Sequence, residues 1–180
     1  MKILATLTAA AVLLFSAASF AQSVGEKTGV NSTLGISPTT ADFVKEAAMS
    51  DMLEIESSKI AQQKGNADGK KFAGQMITDH AKTSSDLKSM VSSGDVKAEI
   101  PAALDSSSQS KLDKLRDAKP EDFAGQYDPM QVSAHKDAVS LFERYAKGGD
   151  NAKLKDWAGN TLPALQHHLE MAQDMDKNRK

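Results

Sequence analysis

Apolar side chains recur at alternating steps of four and three residues in four long stretches of the chain. This spacing places them on one face of an α-helix and is typical of helices that pack in a bundle. Glycine follows each of the first three stretches within two residues, where helices commonly end. The pattern therefore predicts four long helices, over residues 40–64, 68–92, 121–147 and 150–177.

A shorter apolar repeat lies between the second and third long helices. It contains Leu112 and Leu115 and ends at Pro120, which predicts one short extra helix. No segment alternates with the period of a β-strand. Because the links within the first and the last pair of long helices are short, the helices of each pair are expected to be antiparallel. The predicted fold is all-α, a four-helix bundle over residues 40–177 with an extra short helix between helices 2 and 3.

The N-terminal segment has the pattern of an export signal. Lys2 precedes an almost unbroken apolar run, and Ser19 and Ala21 are small residues spaced as before a cleavage site. Residues 1–21 are therefore expected to be a signal peptide, with an uncleaved anchor as the weaker alternative. Residues 22–39 are rich in small polar residues and are expected to form a flexible leader. The mature protein would be periplasmic or extracellular, with no segment left that is apolar enough to cross a membrane.

The composition of the chain excludes several kinds of site and partner. The chain has no cysteine, which excludes disulfides, thiolate metal ligands and cysteine nucleophiles. Its net charge of −2 argues against nucleic acid as the main partner. The sequence has no nucleophile elbow, phosphate-binding glycine loop or His-Glu-x-x-His pair, so no enzymatic reaction is predicted. Whether the chain binds another protein or itself stays open.

One ionisable residue interrupts the apolar seam of each long helix: Glu54, His80, His135 and His168. Such a group costs several kcal/mol to bury unless it is hydrogen-bonded, paired or bound to a metal, so we expect the four to share partners. Residue counts from the helix ends, at about 1.5 Å per residue, place Glu54 and His80 within about 3 Å of the same depth. The same count leaves about 7 Å between the depths of His135 and His168.

Two interpretations of these residues remain open. The carboxylate and the three imidazoles together suit one divalent metal ion, with zinc or copper favoured by nitrogen and oxygen ligands. Alternatively, Glu54 pairs with a histidine and only fixes the helix register. Asp79 is next to His80 in sequence. It either hydrogen-bonds to a metal-binding side chain and orients it, or it is a charged residue at the surface. His167 lies about 100° around the helix from His168 and is expected to be peripheral.

Several short motifs follow one another in an order that resembles a known family. They are Met52-Leu53-Glu54-Ile55-Glu56, Phe72-Ala73 with Met76-Ile77 and Asp79-His80, Tyr127 with Gln131-Val132 and His135, and Leu162-Pro163-Ala164-Leu165 with His168-Leu169. Over about residues 41–175 the chain resembles the bacterial exported family named domain of unknown function 4142, of the ferritin-like superfamily. The resemblance implies a ferritin-like bundle and supplies no settled activity. The family often has an aspartate after the phenylalanine of the third helix, but here Ala124 follows Phe123, which puts any role of that aspartate in doubt.

The ligand set differs from that of a di-iron protein. Ferritin-like proteins that hold two irons use carboxylates on all four helices and Glu-x-x-His pairs on two of them. Here Ile77, Val132 and Leu165 stand three residues before the histidines, which favours one metal ion over two irons. The sequence thus leaves an exported metal-binding protein, or a non-enzymatic envelope interaction or stress-protection module with a purely structural polar core. A weaker third hypothesis is an oligomeric bundle.

Overall fold

A computed structural model describes residues 23–179, and the predicted signal peptide of residues 1–21 lies outside them. Within the described range the chain forms helices and no strand, which confirms the all-α prediction. No helix in this range is both long and apolar enough to span a bilayer. The helices are α1 (Val24–Lys27), α2 (Val30–Leu34), α3 (Thr40–Lys64), α4 (Ala67–Ser92), α5 (Ser106–Asp117), α6 (Pro120–Gly148) and α7 (Ala152–Lys177).

The four long helices begin and end where the local sequence signals predict, within two residues. An N-terminal helix end leaves backbone N–H groups without an intrahelical partner, and a short polar side chain just before the helix can accept a hydrogen bond from one of them. Five of the described helices start in this way, so their N-terminal boundaries are set locally. The capping residues are Ser23 of α1, Thr39 of α3, Asn66 of α4, Asp105 of α5 and Asn151 of α7.

The four long helices surround a common core. Helix α3 packs against α4 and α6, and α7 packs against α6 and α4, while the short α5 lies on α3 and α6. Hydrogen bonds fix the antiparallel pairing of α3 and α6 at both ends. Thr40 near the start of α3 bonds to Tyr145 near the end of α6 at 2.6 Å, and Ser58 bonds to Tyr127 near the start of α6 at 3.1 Å.

A polar layer divides the apolar core into two clusters. The first cluster includes Phe43, Leu87, Phe142 and Leu154, and the second includes Phe72, Leu112, Tyr127 and Ala172. On α4, α6 and α7 one histidine lies between the residues that join the first cluster and those that join the second. The bundle therefore brings these three histidines to one level, enclosed by apolar side chains above and below.

The leader of residues 22–39 contains the two short helices α1 and α2, which the sequence pattern did not predict. Long-range contacts hold this segment against the bundle. Both guanidinium Nη atoms of Arg144 on α6 bond to the Glu26 carboxylate, at 2.5 and 3.1 Å, and one of them also bonds to the Ile36 carbonyl at 2.7 Å. Because these partners are more than a hundred residues apart in sequence, no local periodicity reveals the contact.

Candidate metal centre

Three helices each bring one histidine to a single point inside the bundle. His80 comes from α4, His135 from α6 and His168 from α7, and all are buried, with 2%, 1% and 3% of their surface exposed. One nitrogen from each ring lies within 4.8 Å of the corresponding nitrogens of the other two. The ring centroids are 5.5 to 5.7 Å apart. The three imidazoles therefore face one another across a small common space.

The outward-facing nitrogen of each ring is fixed by an acceptor. His80 Nδ1 lies 2.8 Å from Asp51 Oδ1, His168 Nε2 lies 2.9 Å from Asp79 Oδ2, and His135 Nδ1 lies 2.9 Å from the Gln131 backbone carbonyl. Because carboxylate and carbonyl oxygens accept, these nitrogens carry the proton in the neutral rings. The lone pair of each neutral imidazole is then on the inward-facing nitrogen. Metal-binding histidines are typically oriented in this way.

The inward-facing nitrogens have no partner. His80 Nε2, His135 Nε2 and His168 Nδ1 are buried and form no hydrogen bond within residues 23–179. A buried polar atom left without a hydrogen bond costs about 1–3 kcal/mol. Three such atoms close together destabilise the fold. A bound cation would remove this cost, because it would accept the lone pairs of the three nitrogens. The arrangement can supply three nitrogen ligands to a single metal ion.

Burial and mutual repulsion set the protonation of the three rings. Burial, reinforced by the neighbouring His80, lowers the pKa of His135 to about 4. Burial likewise lowers the pKa of His168 to about 4, despite its bond to Asp79. Burial also opposes the charged form of His80, but Asp51 and Glu54 outweigh it and raise the pKa of His80 above its usual value. At neutral pH His135 and His168 are therefore uncharged rings able to bind a metal.

Glu54 lies beside the histidines but does not share their spacing. Its side chain is 1% exposed, and neither carboxylate oxygen has a hydrogen-bond partner in the described part of the chain. Burial raises the pKa of Glu54 to about 7, while His80 and the Gln131 side chain lower it, so both lie close by. No Glu54 oxygen belongs to the group of described ligand atoms within 4.8 Å of one another. Glu54 therefore borders the space between the three rings.

The structure thus brings together three of the four seam residues singled out in the sequence and sets the fourth beside them. The depth difference of about 7 Å expected between His135 and His168 is wrong, since their rings are 5.5 Å apart. The residue count used the predicted helix ends and ignored the length of the side chains. The observed ends of α6 and α7 differ from the predicted ones, and long side chains span the depth difference that remains between the two backbones. His167 is peripheral as expected, with 61% of its side chain exposed.

Two further residues of the centre were not identified from the sequence. Asp51 is buried and accepts hydrogen bonds from the Thr83 and Ser84 hydroxyls as well as from His80. Gln131, whose carbonyl anchors His135, also donates its side-chain amide to Ser57 Oγ at 3.2 Å. Two spacings pointed to them, since Asp51 precedes Glu54 by three residues and Gln131 precedes His135 by four, which puts each pair on one helix face. Of the two alternatives for Asp79, the structure favours orienting a ligand, because Asp79 bonds to His168.

Comparison with known proteins yields one match. The model of a protein family described as a domain of unknown function, DUF4142, matches residues 25–175. The matched segment includes all four long helices except the last two residues of α7, and with them the whole histidine centre. No curated protein and no solved structure matches the chain.

Proposed function

This chain belongs to the DUF4142 family, and we propose that it is a metal-binding protein that holds one divalent transition-metal ion. His80, His135 and His168 supply the ligand atoms, and Glu54 completes the polar surroundings. Asp51, Asp79 and the Gln131 carbonyl hold the rings in place. The export pattern of residues 1–21 supports the further proposal that the protein acts in the periplasm or outside the cell.

One observation carries this proposal. Each ring has one nitrogen hydrogen-bonded and the other without a partner among the described residues, and one nitrogen of each ring lies within 4.8 Å of one nitrogen of each of the other two. A tetrahedral zinc ion with bonds of about 2.0–2.1 Å holds its nitrogen ligands roughly 3.4 Å apart. Each ring would move by less than about 1 Å to reach that geometry. The protein is therefore close to the metal-bound arrangement.

The donor atoms favour zinc or copper. Imidazole nitrogens suit borderline-soft ions, whereas sites for magnesium or calcium are built from oxygen ligands. Two irons would need bridging carboxylates, and Glu54 is the one glutamate buried beside the three rings in residues 23–179. A single ion accounts for the ligand set.

The alternative of a purely structural polar core fits less well. Polar groups buried for structural reasons are normally hydrogen-bonded, because each unpaired one destabilises the fold. Here three imidazole nitrogens, both Glu54 oxygens and Gln131 Oε1 lack partners within the described chain. A structural core would leave this cost uncompensated, whereas a bound cation compensates most of it.

Equilibrium dialysis with metal analysis tests the proposal. Purified mature protein is dialysed separately against zinc and copper, beside the variants His80→Ala, His135→Ala and His168→Ala. We expect one ion per chain in the unchanged protein, and at least a hundredfold weaker binding in each variant, because every substitution removes one of three ligands.

His167→Ala is the matched control, since it removes a neighbouring but exposed histidine. It should bind like the unchanged protein. If the unchanged protein binds no ion, or if His167→Ala weakens binding as much as His168→Ala, the proposal is wrong. Circular dichroism of each variant verifies that the helices remain folded.

A further inference from the structure

We propose that Glu54 is not a ligand of the ion, and that the ion instead holds an exchangeable water molecule that hydrogen-bonds to Glu54 and to Gln131 Oε1. The centre would then have three protein ligands and one open coordination position, which takes water, hydroxide or a small anion. This inference rests on the proposed metal binding and goes beyond it by naming the fourth ligand.

Glu54 lies outside the group of histidine nitrogens that can bind the ion. The three histidine nitrogens form a group within 4.8 Å of one another, and no Glu54 oxygen belongs to that group of described atoms. A direct ligand would have to lie at about the same distance from all three nitrogens. Glu54 is nevertheless buried, with 1% of its surface exposed, and interacts electrostatically with His80 and His168. A buried carboxylate outside the ligand group can still reach the ion through one bound water.

Gln131 has a buried side-chain acceptor without a partner among residues 23–179. Its side chain is fully buried, and its Nε2 donates to Ser57 Oγ at 3.2 Å, which fixes the orientation of the amide. With the amide held in that orientation, Oε1 is an acceptor that has no partner among residues 23–179. The same Ser57 hydroxyl donates to the Glu54 backbone carbonyl at 3.3 Å, so Ser57 links Gln131 to Glu54. Two residues joined through Ser57 therefore each have an acceptor that is unpaired within residues 23–179.

The unpaired oxygens of Glu54 and Gln131 both need a hydrogen-bond donor. Glu54 and Gln131 Oε1 are both acceptors, so they cannot satisfy each other while Glu54 is ionised. A metal-bound water has two O–H donors and uses its lone pair on the metal. One O–H would donate to Glu54 and the other to Gln131, which pairs acceptors from both residues with a single molecule. Three protein ligands with a water in the fourth position is the pattern of exchange-competent zinc sites.

The enclosure of the centre limits what can replace the water. The three histidines are at most 3% exposed, and apolar clusters lie on both sides of them. Ligands of two or three atoms, such as azide, fit this restriction better than a substrate with a carbon skeleton. The expected ligand class is therefore water, hydroxide and small anions.

Azide binding to the copper-loaded protein tests the open position. Azide that replaces water on copper(II) gives a new ligand-to-metal charge-transfer band. We expect this band in the unchanged protein, saturating with azide at one azide per copper. We also expect Glu54→Gln to keep one copper per chain, since it removes no ligand. Glu56→Gln is the matched control, because Glu56 lies two residues away and pairs with Lys59 at the surface.

Two outcomes would overturn the inference while leaving the metal proposal intact. The first is that azide fails to bind the unchanged copper protein but binds the Glu54→Gln variant, which would mean that Glu54 occupies the fourth position. The second is that Glu54→Gln loses copper as completely as His168→Ala. Absence of both copper and zinc from the unchanged protein would overturn the inference and the proposed function together.

Discussion

Two buried polar clusters of this protein differ in how far their atoms are paired. In the leader ion pair, Arg144 donates two hydrogen bonds to the Glu26 carboxylate and one to the Ile36 carbonyl. Arg144 Nε is the one polar side-chain atom of this pair without a partner in residues 23–179. In the histidine centre, by contrast, the outward-facing atoms are paired and the inward-facing ones are not.

This difference separates a contact that completes the fold from one that awaits a ligand. The side-chain polar atoms of the leader ion pair are paired except for Arg144 Nε within residues 23–179, and the pair holds α1 and α2 against the bundle. The outward-facing nitrogens of the histidine centre are hydrogen-bonded, so poor packing does not explain why its inward-facing atoms are unpaired. Three lone pairs directed at one point are a binding arrangement, and they stay costly until something binds there.

The largest effect is expected from breaking the leader ion pair. Arg144→Met should lower the free energy of unfolding by about 3 kcal/mol, the low end for breaking a buried pair, because the leader can release Glu26 to water. Urea denaturation measures the loss, and metal affinity should stay unchanged. The double variant Glu26→Leu with Arg144→Met is the control and should recover most of the loss, since neither member of the pair is then left buried without its partner. A double variant as unstable as Arg144→Met would contradict this explanation.

A smaller effect should follow from changing the carboxylates behind the histidines. Asp51→Asn should weaken metal binding about 10- to 100-fold, because Asp51 orients His80 and is itself fixed by two hydroxyls. Asp79→Asn should weaken it less than about tenfold, since the Asp79 side chain is 40% exposed and its bond competes with water. Isothermal titration calorimetry with zinc measures the affinity of each variant for the ion. Equal losses, or none for Asp51→Asn, would count against a positioning role for Asp51.

The smallest effect concerns Glu46, next to the leader ion pair. Burial, reinforced by Glu26, raises the pKa of Glu46 to about 7 from 4.5. Between these values the folded protein binds more protons than the unfolded chain, so stability is greatest at low pH and falls as pH rises through 7. Relative to Glu46→Gln, the unchanged protein should lose about 1–2 kcal/mol between pH 4.5 and 7.5.

Urea denaturation of the metal-free forms at several pH values measures this difference. Glu54 titrates in the same range but is present in both proteins, so its contribution cancels. A stability difference that stays constant with pH would show that Glu46 keeps an ordinary pKa. The metal-loaded forms provide a second check, because the difference due to Glu46 should not depend on the ion.

The sequence predicted the helices well because their signals are local. Side-chain caps, glycine stops and a regular apolar seam lie in or next to most of the long helices, and the bounds of α3 agree with the predicted residues 40–64. The leader helices were missed because Arg144, far away in sequence, holds them in place. The histidines could be found from their seam positions, but Asp51 could not be assigned to His80, since their contact depends on how α3 and α4 are rotated against each other.

The central claim is that three imidazoles hold one ion, and anomalous X-ray diffraction from crystals of zinc-loaded protein tests it most directly. Data collected on the two sides of the zinc absorption edge locate the metal without reference to any assumed ligand. We predict one strong peak about 2.0–2.1 Å from His80 Nε2, His135 Nε2 and His168 Nδ1. A peak at the exposed His167 instead, or no peak between the three rings at saturating zinc, would contradict the claim.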